Sequence, residues 1–239
     1  MVTLDSRFER LLVVAPHCDD AELGVGGLLA AAAASGRESQ GPQETARTVR
    51  VVVLAAGDIR FNHGGVVTAE TRIQEAREGL GSLGVEASQV SIYSRLESRL
   101  PEIPHADTVR HLDELLESFR PTAFFFPLPS AHQDHRYAFE CCLSALRPGS
   151  PGSRLRLAAA YEYPSNLVDP QVPFNSRIYL DISDFLEAKI RAFECHRSQA
   201  SRPGYHLISS GGVRDLARLR GREIGVEFAE RYYLVREVI

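Results

Sequence analysis

The chain is poor in cysteine. Cys18, Cys141, Cys142 and Cys195 are its four, and no two stand in a CxxC spacing. That excludes a disulfide-stapled scaffold and makes a reducing cytoplasm the expected setting. Any long basic run is missing too, and the net charge is −4, so nucleic acid finds no electrostatic footprint. No apolar stretch reaches the roughly 18 residues that a bilayer span requires. The opening residues, MVTLDSRFERLLVV, carry Asp5 and Glu9 and lack the order of a signal peptide. There is no internal repeat, linker or sign of a second domain. What is present, 44% apolar and 24% charged residues over 239 positions, suits one soluble α/β domain spanning 1–239 with a large core.

Two stretches carry chemistry. In the first, LLVVAPHCDDAELGVGGLL over 11–29, an apolar run reads as a buried strand over 11–15. Pro16 ends it, and His17, Asp19 and Asp20 follow at once. A Gly-rich turn is expected over 24–27, then an Ala-rich helix to about Ser35. Polar side chains therefore sit where a parallel strand hands over to a helix, the end of an open α/β sheet at which ligands bind. His17 and Asp20 fall on one side of a helical turn. Their nitrogen and oxygen suit zinc or a similar divalent ion, leaving Asp19 for proton transfer. Helix capping by the Asp residues is the competing explanation. The GVGG turn is an incomplete dinucleotide fingerprint preceded by three ionisable groups, so an NAD site is not expected.

The second stretch, PTAFFFPLPSAHQDHR over 121–136, repeats the design. A strand over 123–126 is broken by Pro127 and Pro129, and His132, Asp134 and His135 follow. His132 and His135 again have ligand spacing, and either could reach a metal. Two strand-end clusters of His and Asp are hard to explain as solvated surface.

PHCDDAELGVGG followed by PSAHQDH resembles the PIG-L/LmbE-like family of metal-dependent N-deacetylases, whose motifs run roughly Ala-His-Pro-Asp-Asp-x-Glu and His-x-Asp-His. The resemblance implies that His17, Asp20 and His135 bind Zn2+, with another divalent metal such as Fe2+ as the alternative. It implies Asp19 as general base, His132 supporting the carbonyl oxygen and Asp134 holding His132. The implied substrate is a small N-acetylated amino sugar or glycoside, and the implied assembly a homo-oligomer. Two further readings stand beside this one: an amidase for another acyl-amine, and a catalytically silent metal-binding scaffold. The chain departs from the pattern at Cys18, where the family usually has Pro. That thiol is either a soft, oxidation-sensitive ligand or a small packed residue. Ala21 stands where some members have Glu, with Glu22 after it. The loop over 94–104 lacks the Gly-rich segment that relatives often carry.

Elsewhere, strand and helix alternate. Strands are expected over 49–56, 89–93 and 155–161, and helices over 68–83, 105–120, 137–146, 182–196 and 213–230. A last strand or extended tail is expected over 232–235, a surface loop over 36–48, and over 57–67 a Gly-rich loop at a strand's carboxyl end that suits part of a substrate pocket. The alternation predicts an α/β, three-layer αβα sandwich on a mostly parallel, Rossmann-like sheet. Arg72 is a candidate for gripping substrate hydroxyls or bracing the first motif, against a surface ion pair with Glu75. Tyr161 and Glu162, at a strand end, are candidates for a sugar pocket, against an edge strand with surface tyrosines. His63 and His196 are weaker candidates. Lys189 is expected to face solvent or an internal carboxylate.

Overall fold

The computed structural model describes residues 4–38, 47–60, 65–164, 175–200 and 207–239. His63, and most of the loop expected over 36–48, lie outside them. At the centre is β1 (Arg10–Ala15), whose last five residues are all buried. An apolar run of this kind can lie only in the middle of a sheet covered on both faces. On one side it pairs with β2 (Thr48–Val53), which pairs in turn with β5 (Val90–Ile92). On the other it pairs with β6 (Ala123–Pro127), followed by β7 (Leu157–Tyr161). These five strands are parallel. β9 (Ala229–Glu237) runs antiparallel to β7, and β8 (Arg177–Asp181) closes the sheet, giving the order β5-β2-β1-β6-β7-β9-β8. The chain moves outward from β1 to β2 and β5, then returns to β1's other side at β6. That reversal places a crevice beyond the carboxyl ends of β1 and β6.

Helices cover both faces. Leu11, Val13 and Ala15 pack with α1 (Asp20–Glu38) and α2 (Ala69–Ser82). Leu12 and Val14 pack with α3 (His105–Phe119) and α4 (Gln133–Ala145) on the opposite face. The alternation of side chains along β1 thus divides the core into two halves. α5 (Leu186–Glu194) and, after the short α6 (Arg197–Ala200), α7 (Ser210–Ile224) build a third apolar cluster with Leu23 of α1. The three-layer α/β architecture is the one the sequence predicts.

Several boundaries differ, each for a local reason. The expected turn at 24–27 is part of α1, which kinks at Val25 (φ −133°, ψ 18°) instead of ending. The kink has an identifiable cause. The carboxylate of Glu230 accepts the N–H of Gly27 at 2.8 Å and of Leu28 at 2.9 Å, replacing helical acceptors. Lys189 Nζ, 2.5 Å from the same carboxylate, neutralises it, so Lys189 faces an internal acid. The glycine at 24 is a packing requirement: a Cβ there would lie 2.1 Å from Cδ2 of Tyr161. We expect Gly24→Ala to lower stability by about 1–3 kcal/mol, the usual cost of overpacking, measured by chemical denaturation.

α4 begins at Gln133, not at the expected 137, because the His132 side chain caps it by accepting the Asp134 N–H. α7 ends at Ile224, where Gly225 adopts the left-handed conformation (φ 80°). Of the residues expected to continue that helix, Gly225 to Phe228 form a turn and Ala229 and Glu230 open β9, an internal strand longer than the predicted tail. The loop expected over 57–67 carries a short antiparallel ribbon, β3 (Ile59–Arg60) with β4 (Val66–Val67). Among the described residues, no helix is long and apolar enough to cross a membrane.

Candidate metal centre and active-site cleft

Beyond the ends of β1 and β6 opens a cleft of about 620 Å³. Both motifs reach it. The turn after β1 delivers His17 and Asp19, and Asp20 opens α1. The segment after β6 delivers His132 as the cap of α4 and His135 in its first turn.

One oxygen of Asp20 organises the centre. Its Oδ2 accepts the His17 backbone N–H at 2.9 Å and lies 3.3 Å from His17 Nδ1 and 3.4 Å from His135 Nε2. His17 turns its other nitrogen, Nε2, to Asp134 Oδ2 at 2.9 Å. Asp134 is fully buried and also accepts the backbone N–H groups of Ser98 (2.6 Å) and Leu100 (3.1 Å). Burial disfavours a charged His17, but Asp134 and Asp20 outweigh it and lift the imidazole to about 9. Burial also opposes the Asp20 carboxylate, yet His135 and His17 hold its carboxyl well below the usual range. Two buried acids thus demand positive charge between them.

The donor set fits a divalent ion. His17, Asp20 and His135 are all buried, and each offers one ligand atom, all within 4.8 Å of one another. Two imidazoles and a carboxylate are a common catalytic ligand set, with positions left over for water and substrate. His135 also keeps its Nδ1 buried without a hydrogen-bond partner among the described residues. The alternative group, His17, His132 and Asp134, is the poorer one, because backbone N–H groups already occupy both Asp134 oxygens.

The other predicted residues sort clearly. Asp19 lines the cleft, and its carboxylate accepts no hydrogen bond from a described residue. His132 lines it as well. Burial, with His17 and His135 nearby, pushes its imidazole down to about 4. Asp134 does not hold His132 through its carboxylate as expected. That carboxylate orients His17, and His132 Nδ1 instead accepts the Asp134 backbone N–H at 3.2 Å. Arg72 lines the cleft but is only 2% exposed, paired with Glu97 instead of Glu75. Glu75 is taken by Ser198.

Neither Tyr161 nor Glu162 lines this cleft. Tyr161 is fully buried under α1, its hydroxyl donating to Val14 O at 2.9 Å. Glu162 is held by Arg220 Nε at 2.6 Å and by Arg231 at 2.7 Å. The strand that precedes them is internal, not an edge. Tyr163, two residues past the strand end, is the one that lines the cleft, its ring 5.0 Å from that of His135. His196 is buried against Glu22 at 3.0 Å, tying the end of α5 to α1. Cys18 lies in the apolar core, where burial raises its thiol to about 12, so it packs and offers no thiolate. Glu97, Ser98 and Gln199 also line the cleft. Nothing in the sequence context of Glu97 and Ser98 singles them out, whereas Gln199 closes the segment from His196 that resembles a family stretch near the site or at a subunit contact.

These positions can be set against known proteins. A diacetylchitobiose deacetylase of Thermococcus kodakarensis is 26% identical over 233 residues, covering 93% of this chain and 81% of the relative. A conserved protein of Thermus thermophilus superposes with a TM-score of 0.67 at 27% identity, covering 96% of each chain. GalB, the 4-carboxy-2-hydroxymuconate hydratase of Pseudomonas putida KT2440, shares the fold at 20% identity and a TM-score of 0.67, covering 97% of this chain and 98% of that one. The model of the PIG-L family, GlcNAc-PI de-N-acetylase, matches residues 12–146, which include both motifs and more than half of the 239 residues. The chain belongs to the PIG-L family.

Proposed function

We propose that this protein hydrolyses the acetamide of an N-acetylated amino sugar or glycoside, using a divalent metal held by His17, Asp20 and His135. Zinc is the first choice and Fe2+ the second. The observation that carries the proposal is the convergence of those three ligands with Asp19 and His132 at one cleft. A cleft of about 620 Å³ is of the size that small-molecule sites have. The name of the Thermococcus relative supports the substrate class.

A bound ion of this kind polarises a carbonyl and lowers the pKa of its water from about 15.7 to about 7. Asp19 takes the proton of the attacking water and returns it to the departing amine. His132 donates its Nε2–H to the carbonyl oxygen as negative charge develops there. Asp134, bonded to His17 Nε2, fixes the ring of a ligand and keeps its Nδ1 turned toward Asp20. Arg72 and Tyr163 form the cleft wall against which a sugar ring would rest. The cytoplasmic setting expected from the cysteines and the homo-oligomeric assembly implied by the family resemblance are part of the same proposal.

The test is a panel of N-acetyl amino sugars and short glycosides given to metal-loaded protein, reading acetate and free amine together. Equal amounts of both from one class of substrate support the proposal. Metal bound with no acetate from any member, but release from another acyl-amine, replaces it by the wider amidase reading. Bound metal with hydrolysis of no amide at all supports the silent metal-binding scaffold.

A further inference from the structure

Among the described residues, two that are not glycine have a positive φ, Arg120 and Ser98. Arg120 is explained, because it closes α3 as a left-handed cap. Ser98 ends no helix. It holds φ 61° in the loop between β5 and α3, a conformation costly for any residue with a Cβ. Glycine would adopt it without that cost. A serine kept there directs attention to its side chain.

Ser98 touches three consecutive residues of the second motif. Its N–H donates to Asp134 Oδ2 at 2.6 Å, its carbonyl accepts from Gln133 Nε2 at 3.0 Å, and its Oγ lies 3.4 Å from His132 Nε2. The left-handed turn makes all three contacts at once. The tautomer of His132 follows from its other nitrogen. Nδ1 accepts the Asp134 N–H, so a neutral ring carries its proton on Nε2, facing the Ser98 hydroxyl. Ser98 and His132 both line the cleft.

We infer that Ser98 is a positioning residue: its hydroxyl accepts the Nε2–H of His132 and keeps that donor aimed into the cleft until a substrate carbonyl takes it over. The inference rests on the deacetylase reading for what His132 then does, though the contact itself does not. The backbone strain at Ser98 is the cost of bringing the hydroxyl to the ring.

Two variants test it in the metal-loaded protein. Ser98→Ala keeps the backbone conformation and loses only the hydroxyl. Ser98→Gly loses the hydroxyl and relieves the strain. Both are expected to bind metal like the native protein, and Ser98→Gly to melt at or above the native temperature. In both, kcat should fall roughly threefold to tenfold, the worth of one hydrogen bond, with KM nearly unchanged. The 15N signal of His132 Nε2, assigned by its absence from His132→Gln, should shift in both variants. Native kcat in Ser98→Ala, or an unmoved ring signal, overturns the inference. The ring signal is read without substrate. A chain that deacetylates nothing would therefore end the proposed function, while the Ser98 contact would still stand or fall by that signal.

Discussion

Asp19→Asn should lower acetate release by about 10²–10⁴-fold, the range that general acid–base help commonly supplies, while metal content stays at the native level. The two side chains are close in size, so the cleft keeps its shape. What changes is that an amide cannot accept the proton. Asp19 can be altered cleanly because its carboxylate is not a ligand of the proposed centre and accepts no hydrogen bond from a described residue. Metal analysis beside steady-state kinetics separates the outcomes. Loss of metal would make Asp19 a ligand, and full activity would move the base elsewhere.

Asp20→Ala should have the opposite signature. The native protein should melt higher when a divalent ion is added, gaining about 2.7 kcal/mol at a concentration 100 times Kd. The variant should show no such gain, and its acetate release should fall to that of chelated native protein. One oxygen of Asp20 meets the His17 backbone, His17 Nδ1 and His135 Nε2, so its loss removes the carboxylate that joins the two imidazoles. His132→Ala serves as the contrast. Binding metal as the native protein does, with a rate loss on the order of 10²–10³, it would be an oxyanion donor and not a ligand. Loss of metal in that variant would exchange the roles of His132 and His135, a choice that their spacing leaves open.

Much of this was legible in the sequence because the relevant signals are local. The apolar runs before Pro16 and Pro127 give two central strands. The polar residues just after them mark the sheet end where parallel strands bind ligands, and the structure brings those residues together in one cleft. Features that depend on distant partners were hidden. Glu162 looks like a pocket acid until Arg220 and Arg231, far along the chain, claim it. The glycines at 24–27 look like a turn until Tyr161 is seen against Gly24 and Glu230 against the N–H of Gly27. The start of α4 was missed because its cap is a histidine, outside the usual Ser, Thr, Asp and Asn. Ser98 carries no signal, since a positive φ in a serine cannot be read from its neighbours. Tyr163 stands in the same strand-end stretch as Tyr161, and it is the one at the cleft because residues beyond a strand's end, and not those inside it, reach the crevice.

The most direct test of the whole account is acetate release from an N-acetyl amino sugar by one preparation in three states: as loaded with zinc, after chelation, and after zinc is returned. The account predicts release, its loss, and its recovery as zinc reaches one ion per chain. Hydrolysis that persists at the same rate after the metal is gone would contradict it, because the proposed reaction relies on a divalent ion held by His17, Asp20 and His135.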